Sequence, residues 1–186
     1  MIAYPKMPLA WVIFQQALSD AVGYPVILAG GCLRDLYSGR QENVKDLDFW
    51  PEYLGNAHRK EVLKKLQDLR FTGRTGCTLA YTEGNLKDRG IMAIDWLVAP
   101  NGQEVNLIWI DGADPQAILN GFDFGINQAC WDGSQWTISD AFFKDHQDKT
   151  ISLIRSWEVP KRLCDRIRRM QAKFPEYTLL FEVPQA

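Results

Sequence analysis

The sequence predicts an α+β fold, a mixed and mostly antiparallel sheet flanked by helices with a short helical segment at the C-terminal end. Three observations predict it. The strand-like runs 77–82, 91–98 and 104–110 follow one another, and Asn101-Gly102 between the last two is a strong hairpin signal. Residues 57–69 place Val62, Leu63, Leu66 and Leu69 at helical spacing with charges between them. Residues 160–174 repeat that spacing with Leu163, Ile167, Met170 and Phe174 on one stripe and Arg162, Arg166, Arg169 and Lys173 on the next.

Taken in order, 9–22 (LAWVIFQQALSDAV) reads as a helix ended by Gly23 and Pro25. The apolar run 26–29 stops at Gly30-Gly31, the pattern of a strand entering a tight turn, and 32–38 begins another helix closed by Gly39. Residues 46–50 (DLDFW) alternate and then meet Pro51, which predicts a strand. Residues 114–130 read as helical in two pieces broken near Gly121, and 135–143 as a strand or an irregular segment. Pro160 suits the first turn of the last helix.

Composition narrows the function classes. At 186 residues, 46% hydrophobic and 12% aromatic, the chain fills the core of one domain, or of one domain with a small appendage. The 21 Lys+Arg against 23 Asp+Glu leave a formal charge of -2, so a whole-protein basic field for gripping nucleic acid is absent. No apolar run reaches the ~18 residues of a membrane-spanning helix. The N-terminus lacks a charged leader and is not read as a signal peptide. Cys32, Cys77, Cys130 and Cys164 are widely spaced with no CxxC pair. Reduced, buried thiols and a cytoplasmic protein are expected, rather than a zinc site or a disulfide framework. His58 and His146 have no metal-ligand partner at a suitable spacing and read as surface residues.

The sharpest local feature is Asp46-Leu47-Asp48. Alternation along a strand turns both carboxylates to one face with their Cα atoms about 6.5–7 Å apart, a spacing suited to hard divalent cations. Upstream, Gly30-Gly31 lies where backbone N–H groups can approach a phosphate, with Arg34 placed to meet its oxygens. Asp35 either braces this loop or touches substrate. Asp95, alone in the apolar run IMAIDWLV, is costly to bury unless paired or metal-bound. Trp50, beside the acidic strand, is a candidate for stacking on a base.

The stretch from Gly30 to Asp48 (GGCLRDLYSGRQENVKDLD) resembles the first motif of class II tRNA nucleotidyltransferases and bacterial poly(A) polymerases, within the DNA polymerase beta-like superfamily. That motif has a Gly-Gly or Gly-Ser turn, Val-Arg-Asp, a Leu-Leu-Gly-Arg-like run and Asp-x-Asp. Here Leu33 replaces the valine and Tyr37-Ser38 vary the run. Residues 122–129 (FDFGINQA) are similar to that family's Arg-Arg-Asp-Phe-Thr-x-Asn-Ala motif, which places Asp123 and Asn127 at its nucleotide-binding Asp and Asn. Asn120-Gly121-Phe122 stand where the motif's arginine pair is carried, and Gly125 stands for threonine. On the residues alone, Asp123 and Asn127 fall one helical turn apart. Residues 104–107 (EVNL) resemble the Glu-Val-Thr-Thr segment, making Glu104 the third carboxylate with Asp95 as the alternative, and Trp109-Ile110 occupy the place of the family's following arginine. Residues 160–174 resemble the motif whose arginines lead into the neck.

The resemblance implies a nucleotidyltransferase head over 1–150 and a truncated neck-like helix and tail over 151–186. It implies transfer of a nucleoside monophosphate from an NTP to an acceptor hydroxyl, with an RNA or tRNA 3′ end as the favoured acceptor. Asp46, Asp48 and Glu104 would hold Mg2+. Gly30, Gly31, Arg34, Asp35, Asp123, Asn127, Arg162 and Arg166 would bind the nucleotide, and Arg169 and Lys173 would face RNA. Little chain follows Tyr177, so a protein partner or a second copy is expected to supply acceptor-binding surface. Two alternatives stand beside this: a toxin/antitoxin-type nucleotidyltransferase acting on tRNA or protein, and a non-catalytic nucleotide- or RNA-binding module.

Overall fold

The computed structural model describes residues 4–74, 90–155 and 160–181, with side chains for 4–73, 90–155 and 163–180. The expected strand at 77–82 and the side chain of Arg162 lie outside them. The elements in chain order begin with α1 (Leu9–Val22), β1 (Ile27–Ala29), α2 (Gly31–Tyr37), β2 (Asp46–Trp50), α3 (Asn56–Asp68) and β3 (Thr72–Arg74). There follow β4 (Ile91–Val98), β5 (Glu104–Ile110), α4 (Pro115–Asn120), β6 (Ala129–Trp131) and β7 (Trp136–Ile138). The chain continues through α5 (Asp140–Asp148), β8 (Thr150–Leu153), α6 (Pro160–Lys173) and β9 (Thr178–Phe181).

The principal sheet has seven strands in the order β3-β4-β5-β2-β1-β6-β7. The β2–β5 pair is parallel and its other pairings are antiparallel, giving the mixed, mostly antiparallel α+β fold that the sequence predicts. Period-two alternation sorts its side chains between two faces. Leu47 and Phe49 of β2, with Val105, Leu107 and Trp109 of β5, point to the face covered by α1 and α3, whose Leu18, Val62 and Leu66 are buried against them. Trp50 and Ile110 point to the other face, where Ile118 and Leu119 of α4 and Phe122 close a second core. That cover stops short of the N-terminal ends of β2 and β5, so Asp46 and Glu104 remain exposed there.

A third cluster joins Phe124 and Ile126 to Ile151 of β8 and Met170 and Phe174 of α6. The parallel β8–β9 pair has no local sequence signal, because its strands are separated in sequence by the whole of α6. The 114–130 stretch is corrected in part. Asp114 caps α4 through Ala117 N at 2.8 Å with Pro115 next to it, as a helix start should. Beyond Gly121, however, the chain forms a 3-10 turn at Gly125–Asn127 and then β6, not a second α-helix. Short apolar runs carry no periodicity that separates helix from strand, and β6 is drawn into the sheet by neighbours on both sides. Residues 135–143 split into β7 and the start of α5, which Ser139 caps through Phe142 N at 3.0 Å.

Candidate active site: an aspartate pair beside a cation-lined cleft

Strand β2 sets Asp46 and Asp48 on the open face, as alternation requires, while Leu47 between them is fully buried. The parallel register places Glu104 opposite Asp46 and Asn106 opposite Asp48. Asn106 Nδ2 donates to Asp48 Oδ1 at 2.7 Å and to Asp46 Oδ2 at 3.2 Å. Burial raises the Asp48 carboxyl from 3.8 to about 6, and the neighbouring Asp46 charge adds to the rise. Burial, and then Asp48, push the Cys32 thiol upward as well, so it stays protonated. Among the described residues no three carboxylate, imidazole or thiol groups stand close enough to hold a metal ion together. What the fold brings together is two carboxylates and one amide.

Asp48 lines a cleft of about 810 Å³ whose other walls carry Arg34, Lys45, Asn127, Arg166, Arg169 and Lys173. Five cations share the cleft with Asp48, and of these Arg34 and Lys173 pair with Asp35 and Arg166 with Asp123. The Gly30 turn positions the first of them. Gly30 has φ +91, and a Cβ there would stand 3.0 Å from the Phe122 ring, so glycine is required on both counts. Leu33 N and Arg34 N donate to its carbonyl at 3.1 and 3.2 Å, starting α2, and Arg34 lies back over Gly31.

Arg34 is buried rather than open. Its Nε donates to Asp35 Oδ1 at 2.8 Å, its Nη1 to Asn127 Oδ1 at 2.8 Å, and its guanidinium lies 5.3 Å from the Phe174 ring centroid. Asp35, 2% exposed, also accepts from Lys173 Nζ, so it is a brace for the loop. Lys173 therefore turns inward, whereas Arg169 is exposed at the cleft. Arg166 Nη2 donates to Asp123 Oδ1 at 2.9 Å, and Asp123 also accepts from Phe124 N at 3.0 Å. The expected nucleotide-binding residues Arg34, Asp35, Asp123, Asn127 and Arg166 thus meet around one cleft, although Asp123 and Asn127 flank a 3-10 turn and do not share an α-helix.

Asp95 belongs elsewhere. It pairs in register with Leu107, on the face opposite Asp46 and Asp48, and is 0% exposed. Arg59 Nε of α3 donates to Asp95 Oδ2 at 2.8 Å and Trp109 Nε1 donates to the same atom at 2.8 Å. Its carboxylate is a structural counter-ion beneath the sheet, which removes it as the third carboxylate of the site. Trp50 shares the aspartates' face but is 5% exposed under Phe122, ring centroids 5.8 Å apart, and presents no stacking surface. The histidines are not surface residues. His58 packs on Tyr24 with ring centroids 6.4 Å apart, and burial, with Arg34 nearby, lowers His146 from 6.5 to about 4.

Two contributors escape a reading of the sequence. Asn106 sits two residues past Glu104 on the same strand face, a polar residue at an alternating position that marks it in retrospect. Asp145 of α5 is 1% exposed and accepts from Thr150 Oγ1, Ser152 Oγ and Ser152 N at 2.7–3.0 Å, tying β8 to α5. It has no local signal.

Comparisons with known proteins agree with this geometry at the level of the fold. The profile of the Gad2 family, Gabija anti-defense 2 family protein, matches residues 11–149. A Thermotoga maritima CCA-adding enzyme complexed with tRNA superposes with TM-score 0.63 at 18% identity, covering 96% of this chain and 40% of that one. A CCA-adding enzyme with CTP gives 0.65 at 19%, covering 94% and 40%. A tRNA-processing enzyme in an apo form gives 0.63 at 18%, covering 96% and 46%. The chain spans less than half the length of these solved chains. No curated protein matches the sequence. Among the described residues no helix is long and apolar enough to cross a membrane.

Proposed function

The chain belongs to the Gabija anti-defense 2 family, distinct from the tRNA nucleotidyltransferases whose fold it shares, and on that premise we propose that it is a nucleotidyltransferase. It would move a nucleoside monophosphate from an NTP to an acceptor hydroxyl. The observation that carries this reading is the aspartate pair on one strand face at the rim of a cation-lined cleft.

The donor set suits magnesium. Asp46 and Asp48 are hard oxygen ligands, and the upward shift of Asp48, caused first by burial and then by the Asp46 charge, is one that a divalent cation would offset. Asp46 and Asp48 would hold the ion, while Glu104, the third carboxylate expected from the sequence, lies opposite Asp46 on the neighbouring strand and is exposed. A bound cation supplies Lewis-acid stabilisation of the transferring phosphoryl group and a lowered pKa for the attacking hydroxyl. The residues of the chain do the rest. Lys45, Arg166 and Arg169 neutralise the triphosphate, and Arg34, carried on the helix that the Gly30-Gly31 turn starts, frames its end of the cleft. Asn127 and Asp123, held by Arg34 and Arg166, would receive the nucleoside, and Arg162 precedes Arg166 by one turn of the same helix.

Two acceptors are supported by different observations. The likeness to enzymes described as tRNA-processing and CCA-adding favours an RNA or tRNA 3′ end. Membership of a family described as acting against Gabija favours the second reading, a hydroxyl on a component of that defence system. Incubation of the purified chain with each labelled NTP and Mg2+, once with total RNA and once with purified Gabija components, separates the two by which product gains label. Asp48→Ala should abolish labelling in either arm while the thermal melt stays cooperative. Full labelling by Asp48→Ala would overturn the reading, and absence of label in both arms with the unaltered chain would return it to a binding module.

A further inference from the structure

We propose that Asn106 is a protein ligand of the cation at Asp46 and Asp48, acting through its side-chain carbonyl Oδ1. The inference rests on the reading above that a divalent cation binds this pair, and it names the third group around it.

The argument starts from position. Strands β2 and β5 run parallel with Asp48 directly opposite Asn106, so the amide is delivered to the aspartates by the register of the sheet. Its Nδ2 donates to Asp48 Oδ1 at 2.7 Å and to Asp46 Oδ2 at 3.2 Å. One positively polarised group therefore already sits between the two carboxylates, where a cation bridging them would sit. The amide fills that place and keeps the carboxylates from facing each other bare. An amide's nitrogen and oxygen are nearly isosteric, and the terminal torsion of asparagine is broad and roughly two-fold. Half a turn about χ2 takes the donor away and brings Oδ1 to the same point, without moving the backbone. Side-chain amide oxygens are established ligands of hard cations.

Glu104 is less well placed for this role. It lies opposite Asp46 at the start of β5, is exposed, and does not gather with the aspartates into a three-acid group among the described residues. With Asn106 as the third ligand, the set carries two formal negative charges instead of three. The cation would then bind weakly alone, and the triphosphate oxygens would complete its coordination. Metal and nucleotide would enter together.

Manganese titration of the full chain without nucleotide, followed by the loss of the free-ion electron paramagnetic resonance signal, tests this directly. Asn106→Leu should weaken Mn2+ binding about tenfold or more, the range seen when a group supporting a metal is removed. Asn106→Asp, which keeps an oxygen at the site and adds a charge, should tighten it, and Glu104→Gln should leave it unchanged. Thermal melts establish that each variant is folded. Unaltered binding in Asn106→Leu, weakened binding in Asn106→Asp, or loss of binding in Glu104→Gln would each overturn the proposal, and Asn106→Asp decides it should Asn106→Leu fail to fold. If Mn2+ binding by the unaltered chain is insensitive to Asp48→Asn, the cation site itself is misplaced and the underlying reading fails with it, a distinguishable outcome.

Discussion

Arg34 donates to Asn127 Oδ1 at 2.8 Å, joining α2 to the turn before β6 across 93 residues of sequence. The same guanidinium donates to Asp35 at 2.8 Å, and both residues are buried. Arg34 is thus a framing residue, joined to both Asp35 and Asn127. Arg34→Met should leave the buried Asp35 with Lys173 alone and Asn127 short of a donor, at a cost of about 3 kcal/mol. The urea midpoint measures it, and a shift as small as that of a surface substitution would contradict the assignment. Arg34→Lys should not restore stability, since one ammonium cannot reproduce the forked geometry.

Asp95 and Asp48 should separate stability from function. Asp95→Leu leaves Trp109 Nε1 and Arg59 facing an apolar side chain beneath the sheet and should destabilise the fold by about 3 kcal/mol. The protein that remains folded should bind Mn2+ as before. Asp48→Asn should do the reverse, losing the cation while the melting temperature at neutral pH rises, because the charge that burial disfavours is removed. Loss of Mn2+ binding in folded Asp95→Leu would place Asp95 in the site after all.

Gly125 stands where the similar nucleotidyltransferase motif has threonine, and the packing accounts for the departure. A Cβ on Gly125 would lie 2.8 Å from Asp145 Oδ2 and 3.0 Å from Ala141 Cβ. Asp145 is held by Thr150 and Ser152 and cannot withdraw. Gly125→Thr should therefore cost about 2 kcal/mol through overpacking, read as a lowered melting temperature. A neutral or stabilising result would show that α5 shifts freely against the turn.

Two groups should give opposing pH dependences in one window. Asp48 rises from 3.8 to about 6 on folding, so between those values the folded chain holds the extra proton and stability falls as pH rises. His146 drops from 6.5 to about 4, so between about 4 and 6.5 the unfolded chain holds the extra proton and stability climbs as pH rises. In the unaltered chain the slopes oppose each other. Asp48→Asn should expose a stability that increases from pH 4 to 6.5, and His146→Phe one that decreases from pH 4 to 6. Denaturation at stepped pH checks both, and equal slopes in the two variants would refute the assignment.

Much of this protein was legible locally. Alternation in DLDFW placed Asp46 and Asp48 on one face whatever their neighbours, because a side-chain period of two belongs to a single strand. The Gly30-Gly31 turn, the stripes of α6 and the Asn101-Gly102 hairpin between β4 and β5 are likewise properties of contiguous residues. What tertiary structure decided was pairing. Whether Asp95 or Glu104 shares the aspartates' face depends on the register of β4 on β5 and β5 on β2, and so does the arrival of Asn106. The inward turn of Lys173 and the union of β8 with β9 depend on contacts across α6. A period can be read from one segment, whereas a register is a choice among partners made by the burial of the whole sheet.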